Sequence, residues 1–446
     1  MIRGLAVSGV AIASVASIVM TQAPAFADPG VTYVAVGSDT IQDFWNGFAL
    51  QTGNSVFGSY NATNPADNST AHQVITPVKN GITTSATQIA GEACSFNRPN
   101  GSGEGSNALR GSLGVGTTPT AIAGQTVTVG TTTVTLPSNL PQTNCVDIGR
   151  SSGGPVTVDQ TAGPLQYIPF ALDAVTAAVG PSAAVTIPNA AGTGTESAGP
   201  TNLGAVATTG FSLTSLQAMF GSGNDAVLNG AGTTATCYAP FQGPDAVPTG
   251  VTCSSTVIVD LYIPQPGSGT LSFWAGKMGF TGGSPPAWDH QHIVNGAGTT
   301  LADYAAAPAP GVSVEEHDGK AFAADPNGLG PFSIAQWVAQ NNGINPRFHG
   351  AQLSPIGGTA PTTAGALNTS FPVVRQVYND VAFDRVTQGV DNFFDPTLNQ
   401  FLVGTGSALC QNTLLIQHFG FGRLTVADSP NGTACGSVSS IYRADA

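Results

Sequence analysis

Short apolar runs alternate along this chain with segments whose apolar positions recur at helical spacing. Residues 31–36 form an apolar run of strand length. After the turn Gly37-Ser38-Asp39-Thr40, residues 41–50 place Ile41, Phe44, Trp45, Phe48 and Ala49 on one helical face. The same strand, turn, helix plan recurs at residues 257–263, Gly267-Ser268-Gly269-Thr270 and residues 271–279. Residues 146–148 and 165–171 read as further buried strands, the second followed by a helix from Asp173, and residues 371–377 as a late strand. Residues 106–111, 214–221 and 333–340 read as helices, and residues 419–422 as a turn. The Thr-, Val- and Gly-rich stretch 112–144 reads as a hairpin excursion, and residues 182–210 as a crossover or surface loop. Strands alternating with helices predict an α/β architecture.

The first residues break this pattern. Arg3, an apolar run over 5–20 and Ala25-Phe26-Ala27 have the layout of an export signal cut after residue 27, so a secreted mature chain is expected. No cysteine stands directly after that cleavage site, so no lipid anchor is expected. The remainder is longer than one hydrophobic core usually organises, so two domains are expected.

Composition changes the picture in two ways. Charged residues make up only 8% of the chain against roughly 25% in ordinary soluble domains, and the net charge is −13. Lys79, Lys277 and Lys320 are the only lysines and no basic run exists, so no nucleic-acid partner is expected. Six cysteines in an exported chain favour disulfides; nearest-neighbour pairing joins Cys94 to Cys145, Cys237 to Cys253 and Cys410 to Cys435, although spacing alone leaves other connectivities open.

Candidate chemistry lies in four small turns: Gly37-Ser38-Asp39-Thr40, Asn100-Gly101-Ser102-Gly103-Glu104, Gly149-Arg150-Ser151-Ser152 and Gly267-Ser268-Gly269-Thr270. Three of them precede helical segments, where unpaired N–H groups and the positive end of the helix dipole favour an anion. Serine and threonine add hydroxyl donors without bulk. Each turn alone reads equally as an ordinary Gly-rich loop. Gly149-Arg150-Ser151-Ser152-Gly153 also fits the pattern G-x-S-x-G, but the following Gly154-Pro155-Val156 is not the helix that a nucleophile elbow demands. His290-Gln291-His292 and Glu315-Glu316-His317-Asp318 lack a second half at metal-ligand spacing and read as solvated loops or interlobe contacts. Trp45, Trp274, Trp288 and Trp337 offer a sugar platform on paper, yet Trp45 and Trp274 sit on helices where core packing is expected. No catalytic residue, metal site or cofactor is expected.

Read with their flanks, these turns resemble the substrate-binding component of bacterial phosphate ABC transporters, in its actinobacterial style. The segments are residues 36–43, 98–105, 145–152, Tyr167-Ile168-Pro169-Phe170 and residues 263–270, with echoes at Glu315-Glu316-His317-Asp318-Gly319, residues 330–337 and Arg375-Gln376-Val377-Tyr378-Asn379. The resemblance implies a two-lobed periplasmic-binding-protein-like fold of type II, with lobe one at 28–190 plus 370–446, lobe two at 191–369 and a ligand cleft between them. It also implies capture of inorganic phosphate or a similar tetrahedral oxyanion by Ser38, Asp39, Thr40, Ser102, Gly103, Arg150, Ser151, Ser152, Ser268, Gly269 and Thr270, without catalysis, for an ABC transporter permease. Better-known members carry an arginine shortly before the fourth turn and an aspartate at the end of the third, where Pro264 and Ser152 stand here. Arg150 is then the replacement cation, and Asp39, with Glu104 second, the acceptor for the ligand's proton. The competing readings are a secreted phosphatase or phosphoester-binding protein on the same scaffold and a surface protein that has lost its ligand.

Overall fold

The computed structural model describes residues 31–53, 55–64, 73–79, 94, 96–113, 126–129, 132–135, 145–188, 194–228, 235–293, 312–390 and 393–444. The expected export segment lies outside them. Among the described residues no helix is long and apolar enough to cross a membrane.

The fold is mixed α/β. Strand β1 (Tyr33–Gly37) runs through a short 3-10 turn into helix α1 (Gln42–Thr52), followed by β2 (Phe57–Ser59), α2 (Ser102–Leu113), β3 (Ile148–Ser151) and the long β4 (Leu165–Val179). Next come α3 (Leu213–Ser222), β5 (Ala226–Val227), β6 (Ala235–Pro240), β7 (Cys253–Tyr262) and α4 (Gly269–Met278). β8 (Gly328–Ser333), α5 (Ile334–Asn341) and β9 (Val374–Ala382) complete the elements that shape the centre. Among the described residues the main sheet has 13 strands, nine of them on the path β5-β6-β7-β8-β4-β9-β3-β1-β2 and the rest pairing off it. β1 pairs in parallel with β2 and β3, β7 in parallel with β6 and β8, and the central pairs β8–β4, β4–β9 and β9–β3 are antiparallel.

β4 joins the two groups of strands. Leu165 to Ala174 lie beside β9, and Val175 to Val179 beside β8. All 15 of its residues are buried. The helix expected from Asp173 is therefore replaced by continued strand: both faces are covered, and Val175, Thr176 and Val179 suit a pleated surface better than a helix. The register slips beside Pro169, whose missing N–H is accommodated at the irregularity.

Aromatic packing fixes α1 against the sheet. Phe44 stacks on Phe170 with centroids 4.9 Å apart, and Trp45 meets Phe57 edge-on. Each such burial is worth roughly 2 kcal/mol. Around α4, Trp274 meets Phe220 edge-on. Trp45 and Trp274 are wholly buried, as their helical positions predicted.

Several boundaries move. Helix α3 starts at Leu213 because Ser212, not Thr214, accepts the capping bond from Ser215 N–H. The late strand starts at Val374 rather than 371. Inside 112–144 a hairpin pairs Thr126–Val129 with Thr132–Thr135; the rest of that stretch before Cys145, apart from the end of α2, lies outside the described residues. Inside 182–210, a hairpin of Val185–Pro188 and Thr195–Ala198 precedes the helix Gly204–Thr209. The three disulfides join Cys94 to Cys145, Cys237 to Cys253 and Cys410 to Cys435.

Candidate ligand-binding site

All four turns meet at one place. Parallel pairing of β1 with β3 sets Gly37 opposite Arg150, and Ser38 N–H donates to the Arg150 carbonyl at 3.0 Å. Gly101, at φ +98°, lies so close to the fourth turn that an added Cβ would sit 2.4 Å from the Gly267 carbonyl oxygen. Gly103 N–H donates to that same oxygen at 3.3 Å. A Cβ on Gly269 would meet Ser102 Oγ at 2.2 Å and Ser152 Oγ at 2.4 Å. Only glycine permits these approaches. Ser102 Oγ in turn accepts from Ser152 N–H at 3.0 Å, while Ser268 Oγ caps α4 by accepting from Leu271 N–H.

A buried charged network lies beside the turns. Thr40 Oγ1 and Thr270 Oγ1 donate to one oxygen, Oε1 of Glu316, at 2.6 and 2.7 Å. Arg375 Nη2 donates to Thr270 Oγ1 at 2.8 Å and lies 3.4 Å from Thr40 Oγ1. Its Nε and Nη2 are locked onto Asp173 Oδ2 at 3.0 and 2.8 Å. Asp173 Oδ1 accepts from Ser333 Oγ and from Ala335 N–H at the start of α5. Thus β4, β8, β9 and α5 together aim one guanidinium at hydroxyls of the first and fourth turns.

Asp39 has a different set of partners from those expected. One oxygen accepts from Arg347 Nη2, and the other lies 3.2 Å from His317 Nδ1. Burial alone would raise its pKa, but the Arg347 guanidinium and the His317 contacts hold it below the usual carboxylate range. Both oxygens are engaged by the protein, so the expected acceptor for a ligand proton is already occupied. Asp43, one turn on, is pushed up to about 6 by burial.

Arg150 also departs from the sequence reading. Its guanidinium donates to Ser59 Oγ and to the carbonyls of Gly37 and Tyr60, bracing the loop behind the first turn. Burial pushes its pKa down to about 9. The cation beside the threonine hydroxyls is Arg375. Ser151 lies on β3 and donates to Gly153 O; it occupies a strand, not a strand-to-helix elbow. Glu104 accepts from Asn100 N–H and fastens its own turn.

Glu316, His317, Arg347, Arg375 and Asp173 are absent from the sequence-predicted set. The segment Glu315-Glu316-His317-Asp318 makes contacts between distant segments and is not a solvated loop: Glu316 and His317 are 1% and 2% exposed. A usable signal was available for two of the others. In a chain with 8% charged residues, Asp173 interrupts a mostly apolar strand and Arg375 lies on a strand that also carries Gln376, Asn379 and Asp380; a charge buried in a sheet needs a partner.

No family model and no curated protein matches this chain. Among solved structures, it is similar to a substrate-binding protein assigned to phosphate ABC transport, with bound phosphate, from Clostridium perfringens: 10% identity, 88% of this chain and 100% of that one covered, TM-score 0.38. It is also similar to an ABC-type phosphate transport receptor from Vibrio cholerae, at 11% identity, with 87% and 99% covered and TM-score 0.36. PstS from Borrelia burgdorferi matches at 12% identity, with 88% and 98% covered and TM-score 0.33.

Proposed function

We propose that this chain is a secreted solute-binding protein that captures inorganic phosphate, or a similar tetrahedral oxyanion, between two lobes, and delivers it to an ABC transporter permease. The carrying observation is the meeting of hydroxyl-rich turns from four distant parts of the chain beside the buried Arg375 fork. A dehydrated oxyanion needs a donor for every oxygen, and neutral hydroxyls with one arginine meet that need without a basic surface. Lobe one comprises 28–190 plus 370–446, and lobe two 191–369. β4 and β9 are then the hinge, because they alone in the strand path link the β1–β2–β3 group to the β5–β8 group.

The reading of a surface protein that has lost its ligand is favoured by one observation: the protons of Thr40 and Thr270 are already given to Glu316. Calorimetric titration of the mature, ligand-stripped protein with phosphate, sulfate and arsenate decides between them. Saturable phosphate binding supports capture; no heat with any of the three sinks it.

A further inference from the structure

The capture reading leaves Glu316 unexplained. Its carboxylate is 1% exposed and reaches hydroxyls 276 and 46 positions away in the chain. Each threonine hydroxyl has a single proton to donate, and both lie within hydrogen-bond distance of the same Oε1; His317 Nε2 lies 3.3 Å from Thr270 Oγ1, farther than the 2.7 Å to Glu316. Arg375 Nη2 donates to Thr270 Oγ1, which strengthens that hydroxyl's own donation toward Glu316. This is the donor arrangement that an oxyanion oxygen would take, filled by an oxygen of the chain itself.

The fit is incomplete in a way that a purely structural bridge would not be. Glu316 Oε2, Arg375 Nη1 and Ser38 Oγ are all buried without a hydrogen-bond partner among the described residues. A buried carboxylate with one unserved oxygen is costly. The backbone also holds an unfavourable geometry here. His317 adopts φ +61°, a region that non-glycine residues seldom enter. Gln340 Nε2 and Arg347 Nε, both donating to the His317 carbonyl, keep it there. Glu316 N–H is fixed in turn by Gln265 Oε1, and Gln265 Nε2 by Asn100 Oδ1.

Resting on the capture reading, we infer that Glu316 is a built-in competitor: its carboxylate occupies the threonine cradle as a stand-in anion, and an incoming oxyanion must displace it. Thr40 and Thr270 cannot donate to both at once, and two anions sharing one buried cradle repel. The wild-type affinity is therefore the intrinsic affinity reduced by the fraction of molecules whose plug is withdrawn.

The test is calorimetric titration of the full mature chain with inorganic phosphate, comparing wild type, Glu316→Gln and Glu316→Ala. Glu316→Ala, which empties the cradle, is expected to bind phosphate about tenfold more tightly, the gain if the plug is withdrawn in about a tenth of wild-type molecules; Glu316→Gln, whose amide oxygen still accepts but carries no charge to repel the ligand, should also bind more tightly, by a smaller factor. Without phosphate, Glu316→Ala should melt below wild type and recover when phosphate is added. If the alanine variant does not fold, the near-isosteric Glu316→Gln decides. Equal or weaker phosphate binding in the variants, with wild type still binding, overturns the competitor and leaves capture standing. No phosphate binding by any of the three proteins overturns both.

Discussion

Arg375 and Thr270 lie 105 positions apart in the chain and are joined by a 2.8 Å hydrogen bond from Nη2 to Oγ1. The same guanidinium grips Asp173 on β4 through two of its nitrogens. One side chain thereby ties β9, β4 and the fourth turn into a single unit, and all three residues are buried. In such surroundings the geometry of the pair matters more than its net energy, because desolvation offsets most of the attraction.

Removing one partner is a different matter from removing both. Asp173→Ala strands a buried guanidinium and should cost about 3–5 kcal/mol in urea unfolding. The double variant with Arg375→Met should recover part of that loss, since no charge is then left unpaired. Strict additivity of the two single losses would contradict the pairing.

Close approach at Gly269 predicts a second effect. A methyl group there would meet Ser102 Oγ and Ser152 Oγ well inside contact distance. Gly269→Ala should destabilise the chain by about 1–3 kcal/mol and weaken phosphate binding, because the fourth turn must move away from the second and third. Gly276→Ala, on the same helix with nothing near its would-be Cβ, is the control and should be neutral or slightly stabilising. Equal behaviour of the two variants would show that the turns do not abut.

Buried carboxyls set the pH dependence. Burial pushes Asp289 up to about 9, Asp380 up to about 7 and Asp43 up to about 6; burial and then neighbouring Asp325 push Asp260 up to about 9. The folded chain holds protons on these groups that the unfolded chain releases above about pH 4. Their contribution to stability is therefore complete below about pH 4 and is lost as pH rises through these folded values toward 9. Asp39 and Asp395 act oppositely: burial alone would raise them, but their cationic and hydrogen-bonding partners hold them low, so their contribution disappears only in stronger acid. Thermal melting should be higher at pH 5 than at pH 9, and Asp289→Asn should flatten that slope. A flat or rising profile between those values would contradict the buried-acid account.

The disulfides provide a further check. Cys237 and Cys253 close 16 residues between the adjacent strands β6 and β7, and Cys94 and Cys145 close 51. Replacing either pair with serine should cost about 3–4 kcal/mol, with the longer loop losing more. An unchanged urea midpoint would mean that the unfolded chain is already restrained there.

How far the fold could be read from the sequence depended on where local pattern and tertiary environment agreed. α1 was legible because Ile41, Phe44, Trp45 and Phe48 repeat at helical spacing and all four are buried. β4 was legible only to Ala171, since its second half carries Ala and Asp residues that favour other conformations locally, and pairing with β8 and β9 decides the matter. The turns were legible because Gly and Ser at a helix start have a local physical meaning. Their charged partners were not. The links from Asp39 to Arg347 and from Thr40 to Glu316 span 308 and 276 positions, and no local spacing encodes them. Arg150 misled because its proximity in sequence to Ser151 and Ser152 carries no information about side-chain direction; its donors turn back onto Gly37 and Tyr60.

The decisive measurement is a crystal structure of residues 28–446 grown with arsenate, whose heavy atom marks the ligand unambiguously. Arsenate should lie enclosed between the first and fourth turns, bonded by Thr40, Thr270 and Arg375, with the Glu316 carboxylate withdrawn from the threonine hydroxyls. A saturated crystal in which Glu316 still accepts from Thr40 and Thr270, with no arsenate beside Arg375, would contradict the proposed capture.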